Sequence, residues 1–192
     1  MPSRAIAALL HEHEIILKAV GGLQRMSAAL RQRQQVDVSK LREAVGFMRT
    51  FADKCHHAKE EDLLFPALVA AGFPETAGPV ALLKSEHAQA RVCIGNLAAA
   101  IDVYDSDEPS GRAQIIAAVG CIAELYPQHI AKENNVLFPM AEQRLAAGEL
   151  ERLGNQFDAA ERALGEETHH HWAAVAERLA APVVAEVMAP AA

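Results

Sequence analysis

Two stretches of the chain carry the same set of reactive side chains. CHHAKEEDLLFPAL at residues 55–68 is nearly repeated as QHIAKENNVLFPMA at 128–141. His56, Ala58, Lys59, Glu60, Leu64, Phe65 and Pro66 recur as His129, Ala131, Lys132, Glu133, Leu137, Phe138 and Pro139. In each copy a histidine is followed four residues later by a glutamate, a spacing that stacks the two side chains on one face of a helix. Neutral imidazole suits iron, zinc, copper and nickel, and a nearby carboxylate can bridge two ions. His56 with Glu60 and His129 with Glu133 are therefore candidate metal ligands.

These pairs need a frame that brings them together. Apolar residues recur with helical period at Ile6, Leu9, Leu10, Ile16, Leu17, Val20, Leu23 and Leu30, and His13 lies on that seam. After the polar stretch RQRQQVDVS, in which Asp37 or Ser39 can cap the next helix, a second seam runs Leu41, Val45, Met48, Ala52, Leu63. At 100° per residue, His56 falls near the centre of this seam with Glu60 beside it, while His57 and Glu61 turn to the flank. The loop AGFPETAGP leads to a third seam, Leu83, Ala90, Ile94, Leu97 and Ile101, which carries His87. The turn DSDEPSG leads to a fourth, Ile115, Val119, Ile122, Tyr126, Val136 and Met140, with His129 and Glu133 in its gap.

His13, His56, His87 and His129 each lie about 20 residues, or about 30 Å, from the turns at the far end of their helices. In an antiparallel arrangement they meet at one level. The expected fold is all-α: an up-down-up-down four-helix bundle over residues 1–147, with a C-terminal helical extension over 148–192 that packs across it. The last stretch, APVVAEVMAPAA, is low in complexity and is expected to dock loosely or stay poorly ordered.

Other reactive residues are weighed against this frame. His57 neighbours His56 and can swing to a metal, so it stands as a further candidate ligand. Tyr126, three residues before His129, reads as core packing or as a donor beside the ligands. Cys55 reads as a buried structural thiol, and Lys59 and Lys132 as solvated. His11 falls off the seam and reads as a surface residue. His169, His170 and His171 form an internal cluster that nothing nearby in sequence completes into a site.

The bulk numbers exclude several classes. A formal charge of -7 leaves no basic stripe for nucleic acid. No apolar segment approaches the roughly 20 residues that span a bilayer, and no membrane partner is expected. Cys55, Cys93 and Cys121 form no CxxC pair and cannot all be bridged, which points away from a disulfide framework and towards a reducing, cytoplasmic setting.

EHEII at 12–16, CHHAKEEDLLFP, SEH at 85–87 and HIAKENNVLFP together resemble the hemerythrin-like, or HHE cation-binding, domain proteins over roughly residues 5–145. The resemblance implies a four-helix bundle around two non-haem iron ions. Their ligands here would be His13, His56, Glu60, His87, His129 and Glu133, with the glutamates bridging and a bridging oxo or hydroxo group between the ions. The oxygen-carrying hemerythrins supply a second histidine on the third helix and an aspartate five residues after the last histidine. Here Arg91 and Asn134 stand at those places, which leaves a coordination position for water, His57 or Tyr126.

The leading function is a non-enzymatic di-iron protein that binds oxygen or a related diatomic, or senses iron and redox state. Its partner would be a small diatomic ligand or peroxide; no protein partner is indicated. One alternative is a di-iron redox enzyme acting on peroxide or nitric oxide. Another is a structural helical bundle in which metal is incidental.

Overall fold

The computed structural model describes residues 1–181, apart from the side chain of Glu166, so all of the APVVAEVMAPAA segment after Ala181 lies outside the described residues. The described residues are helical, with no strand among them. Helix α1 is Arg4–Arg31. A second arm, residues 38–70, begins as α2 (Val38–Phe47), passes through π-helical turns at Met48–His57 and Glu60–Leu64, and ends as α3 (Phe65–Ala70). Helix α4 is Gly78–Ser106 and α5 is Glu108–Lys132; a third π-helical turn, Glu133–Leu137, joins α5 to α6 (Phe138–Arg144). Helices α7 (Ala147–Leu164) and α8 (Glu166–Ala180) follow. None of the described helices is long and apolar enough to cross a membrane.

Local chemistry sets the breaks. Ser3 and Asp37 cap α1 and α2, their side chains accepting from the backbone N–H of Ile6 and Ser39. The DSDEPSG turn is tighter than its composition suggests: only Asp107 leaves the helix, and Pro109 fits the first turn of α5, where its missing N–H costs nothing. Cys93 and Cys121 fall opposite each other across this α4–α5 hairpin and are joined by a disulfide, with Cα atoms 6.0 Å apart. Cys55 stays unbridged, so the three are not all paired, but the single bridge goes against the absence of disulfides that the cysteine pattern suggested. The Cys93–Cys121 pairing follows from equal distances to the turn, which a search for local CxxC spacing cannot register.

The arms enclose two apolar clusters with a polar layer between them. One holds Ile16, Val20, Leu23, Phe47, Phe51, Ile94, Leu97, Ile115 and Ile122; the other holds Ile6, Leu9, Phe65, Leu68, Leu83, Leu137 and Phe138. The C-terminal hairpin packs on the preceding helices and is broken at Gly165, whose φ of +104° suits glycine. Helix α7 gives Leu150, Leu153 and Phe157 to the second cluster, and α8 gives Val175, Ala176 and Leu179 to the first. The hairpin therefore straddles the polar layer. Helix α8 comes so close to α1 that a Cβ on Gly22 would stand 2.5 Å from the Leu179 carbonyl oxygen.

The two π turns that follow the candidate ligand histidines His56 and His129 shift the helix phase. Val136, placed on the seam by a constant 100° per residue, is exposed, and Met140 and Leu63 are only partly buried. Leu64, Phe65, Leu137 and Phe138 occupy the core instead. Each of these turns runs into a Phe-Pro pair. Pro66 and Pro139 have no N–H to return to the carbonyl four residues back, so the regular ladder is interrupted there and a wider turn takes up the extra residue.

Candidate metal centre

The polar layer brings His13, His56, His57, Glu60, His87, His129 and Glu133 together, and all are buried. His13, His56, Glu60 and Glu133 offer donor atoms within 4.8 Å of one another, and so do Glu60, His87, His129 and Glu133. The two glutamates belong to both groups, as a pair of bridges must. His57, His87 and His129 form a third group on the same criterion.

His57 requires a correction. Helix phase turns it to the flank, whereas it is 1% exposed and stacks on His87 with ring centroids 3.8 Å apart. The π-helical stretch Met48–His57 is the cause: its wider turn advances each residue less than 100°, so the adjacent His56 and His57 both face inward. Glu61, the other flank residue, stays partly exposed. His57 thus joins His87 and His129 as a further nitrogen donor. In the second copy of the repeat Ile130 occupies its place, which makes the donor set unequal: two imidazoles on one side, three on the other.

The imidazoles are held by their outer nitrogens. His13 Nδ1 donates to Asn134 Oδ1 at 2.7 Å, His56 Nδ1 to Glu12 Oε2 at 2.9 Å, His87 Nδ1 to Glu61 Oε1 at 2.7 Å and His129 Nδ1 to Glu86 Oε2 at 3.0 Å. These oxygens can only accept, so each Nδ1 carries a proton, and Nε2 is the nitrogen left facing inward, where a metal ion would take the place of its proton. The inner nitrogens converge, His13 and His56 Nε2 at 3.0 Å and His87 and His129 Nε2 at 3.2 Å. Phe138 stacks on His13 and Phe65 on His87, fixing the ring planes.

The centre of the layer is left unpaired. His13 Nε2 and His129 Nε2 each lie 3.1 Å from a Glu133 oxygen, and His87 Nε2 lies 3.3 Å from Glu60. These approaches are off-line in angle, and among the described residues no hydrogen bond reaches any of the four oxygens of Glu60 and Glu133 or either nitrogen of His57. Buried carboxylates without partners are costly, and divalent cations among them would remove the cost. The donor set fits metal on these grounds.

The charges respond accordingly. Burial pushes the His87 imidazolium down, but the Glu133, Glu60 and Glu61 carboxylates overcome it and carry it up to about 11. Burial likewise opposes charge on His13 and His129, and Glu133 and Glu60 raise both. Glu133 would be raised by burial, yet its three histidine neighbours hold it well below the carboxylate range. His57 is driven well below its ordinary value by burial, with the neighbouring imidazoles adding to the effect, and it stays neutral as a ligand must.

Several participants escape a reading by seams. Lys59, expected in solvent, is 1% exposed: its Nζ bonds Glu12 and, at 2.5 Å, Glu161 Oε1 of α7. Burial lowers its affinity for a proton, but Glu12 more than restores it, to about 12. Lys132, its counterpart, bonds Glu86 and is 39% exposed, so it too is partly withdrawn from solvent. Glu12 and Glu86 directly precede His13 and His87, and that shared Glu-His pair is the signal that could have found them. Of the three consecutive histidines, His169 lies 3.5 Å from Glu12, while His170 and His171 are exposed. Cys55 is buried with Sγ 3.9 Å from Glu12, and burial pushes its thiol up to about 12. Tyr126 is buried 6.1 Å from the His57 ring, its hydroxyl unpartnered and kept protonated by burial.

Comparison with known proteins agrees with this chemistry. The family model described as the hemerythrin HHE cation binding domain matches residues 4–141. Two similar relatives are the uncharacterized protein Rv1995 of Mycobacterium tuberculosis and the uncharacterized protein Mb2018 of Mycobacterium bovis. Each is 24% identical over 171 residues, which is 86% of this chain and 65% of the relative. The chain thus spans somewhat less than two thirds of the length of these relatives. No solved structure matches it.

Proposed function

The chain belongs to the hemerythrin HHE cation-binding family, and from that premise we propose that it holds two non-haem iron ions in a four-helix bundle and binds oxygen or a related diatomic there. The observation that carries this reading is the pair of buried, unpartnered carboxylates, Glu60 and Glu133, faced by imidazoles whose outer nitrogens are already committed. Iron bound there supplies reversible one-electron chemistry and an exchangeable position for a small ligand. His13 and His56 would hold one ion and His57, His87 and His129 the other, with Glu60 and Glu133 between them. The fewer donors on the His13 side leave the exchangeable position there. Phe65, Phe138 and Tyr126 keep the layer dry, which excludes water from competing with a weakly bound ligand. A cytoplasmic setting is part of this reading, although among the described residues the Cys93–Cys121 bridge argues for an oxidising one.

The test is a metal inventory. Protein isolated without added metal, then reconstituted with ferrous iron and exposed to air, is expected to carry two irons per chain and to develop near-ultraviolet absorption. Glu60→Ala and Glu133→Ala should each lose both. Wild-type protein that takes up no iron, with thermal stability unchanged by a chelator, would leave a helical bundle with incidental metal as the better account.

A further inference from the structure

The residues matched by the family end at 141, but the polar layer does not. Glu161 on α7 and His169 on α8 reach it from outside that span. Glu161 Oε1 lies 2.5 Å from Lys59 Nζ, Lys59 bonds Glu12, and Glu12 Oε2 accepts from His56 Nδ1 at 2.9 Å. A single line of alternating charge thus runs from the C-terminal hairpin to a candidate metal ligand. Its inner members are sealed, Lys59 and Glu12 each at 1% exposure, whereas Glu161 and His169 line a surface cavity of about 470 Å³. Among the described residues the opposite half of the centre has no such extension, for Lys132 bonds Glu86 and stops there.

We infer that the α7–α8 hairpin is a working part of the metal centre: Glu161, acting through Lys59 and Glu12, sets the donor strength of His56 and so the ligand affinity and reduction potential of the metal position held by His13 and His56. This rests on the proposed di-iron reading. A carboxylate that accepts from the outer nitrogen of an imidazole draws the proton away and makes the inner nitrogen a stronger donor. How strongly Glu12 does so depends on how much of its charge Lys59 cancels. Glu161 competes for the same ammonium. With Glu161 charged, Lys59 is shared and Glu12 keeps more of its negative charge for His56; with Glu161 neutral, Lys59 turns wholly to Glu12 and His56 becomes a weaker donor. Glu161 and Lys59 are positioning residues in this scheme, since neither touches the metal position.

Full-length protein reconstituted with ferrous iron and oxidised is titrated with azide by calorimetry, and its reduction potential is measured. In Glu161→Gln the iron content should stay at the wild-type level, the azide dissociation constant should fall about threefold and the potential should move upward. The effect is modest because Glu161 lies two residues further out than partners whose loss typically costs about 10–100-fold. Glu12→Gln should move both quantities in the same direction by about tenfold in azide affinity. Asp158→Asn removes a charge from the same cavity at a residue that bonds Arg4 and not Lys59, and should change neither. If Glu161→Gln keeps its iron and matches wild type in both azide affinity and potential, the inference is overturned while the di-iron reading stands. Wild-type protein that takes up no iron overturns the di-iron reading and this one with it, before any variant is made.

Discussion

On one side of the centre, His56 donates to Glu12 and Lys59 neutralises Glu12; on the other, His129 donates to Glu86 and Lys132 neutralises Glu86. The residue after each central glutamate, Glu61 or Asn134, accepts from a histidine of the other Glu-His pair, and the phenylalanine of each Leu-Phe-Pro stacks on that same histidine. The two halves therefore share one plan. Beyond that exchange of a charged Glu61 for a neutral Asn134, they part in two further places. His57 is present in one copy and replaced by Ile130 in the other, and Lys59 is sealed beneath the C-terminal hairpin whereas Lys132 is 39% exposed. Repeating a ligand motif builds a cage of near-equal halves; what makes the halves chemically different is supplied by one unrepeated histidine and one appended hairpin.

If the seal on Lys59 is what separates the halves, removing that lysine should have the largest effect. Lys59→Met leaves Glu12 buried without its ammonium, and breaking one partner of a buried pair typically costs about 3–5 kcal/mol. Urea unfolding of the metal-free variant should show a loss of that order. A loss near zero would mean that solvent already reaches Glu12, and the contrast between the halves would collapse.

What the sequence makes legible follows from periodicity. His13, His56, Glu60, His87, His129 and Glu133 lie on seams that a constant helical period places at one depth, and the helical arms themselves follow from the same pattern. His57, Leu64 and Leu137 defeat that reading because the π-helical turns change the period within the motif. Lys59 defeats it for another reason. A lysine is rarely buried, and the partner that makes its burial possible, Glu161, lies more than a hundred residues away on a helix whose docking no local pattern announces. Glu12 and Glu86 were visible as neighbours of His13 and His87, but their role depends on contacts across arms.

The second contrast is between protons and metal. In the metal-free protein the His87 imidazolium is carried from 6.5 to about 11, so its stabilising contribution is complete below pH 6.5 and is lost progressively as the pH rises towards 11. His57, neutral in both states above pH 6.5, adds no slope there, and the Cys55 thiol enters only above its ordinary value of 9.0. Between pH 7 and 9, urea unfolding of chelator-treated protein should show stability falling by about 1.4 kcal/mol per pH unit for each proton retained on His87 and its raised neighbours. Metal that takes the place of those protons should flatten the slope. A slope unchanged by metal would place the ions elsewhere.

The smallest effect is expected at Lys132. Its bond to Glu86 repeats the bond of Lys59 to Glu12, and the sequence around the two lysines is nearly identical. Exposure decides the outcome. An ammonium 39% open to water gains little from its ion pair, and Glu86, which it would leave behind, keeps both its bond to His129 and its own access to solvent. Lys132→Met should therefore cost about 0–1 kcal/mol in urea unfolding, and high salt should erase even that difference. Should Lys132→Met prove as damaging as Lys59→Met, both lysines would be doing the same work, and the sealing of one half by the hairpin would have no energetic meaning.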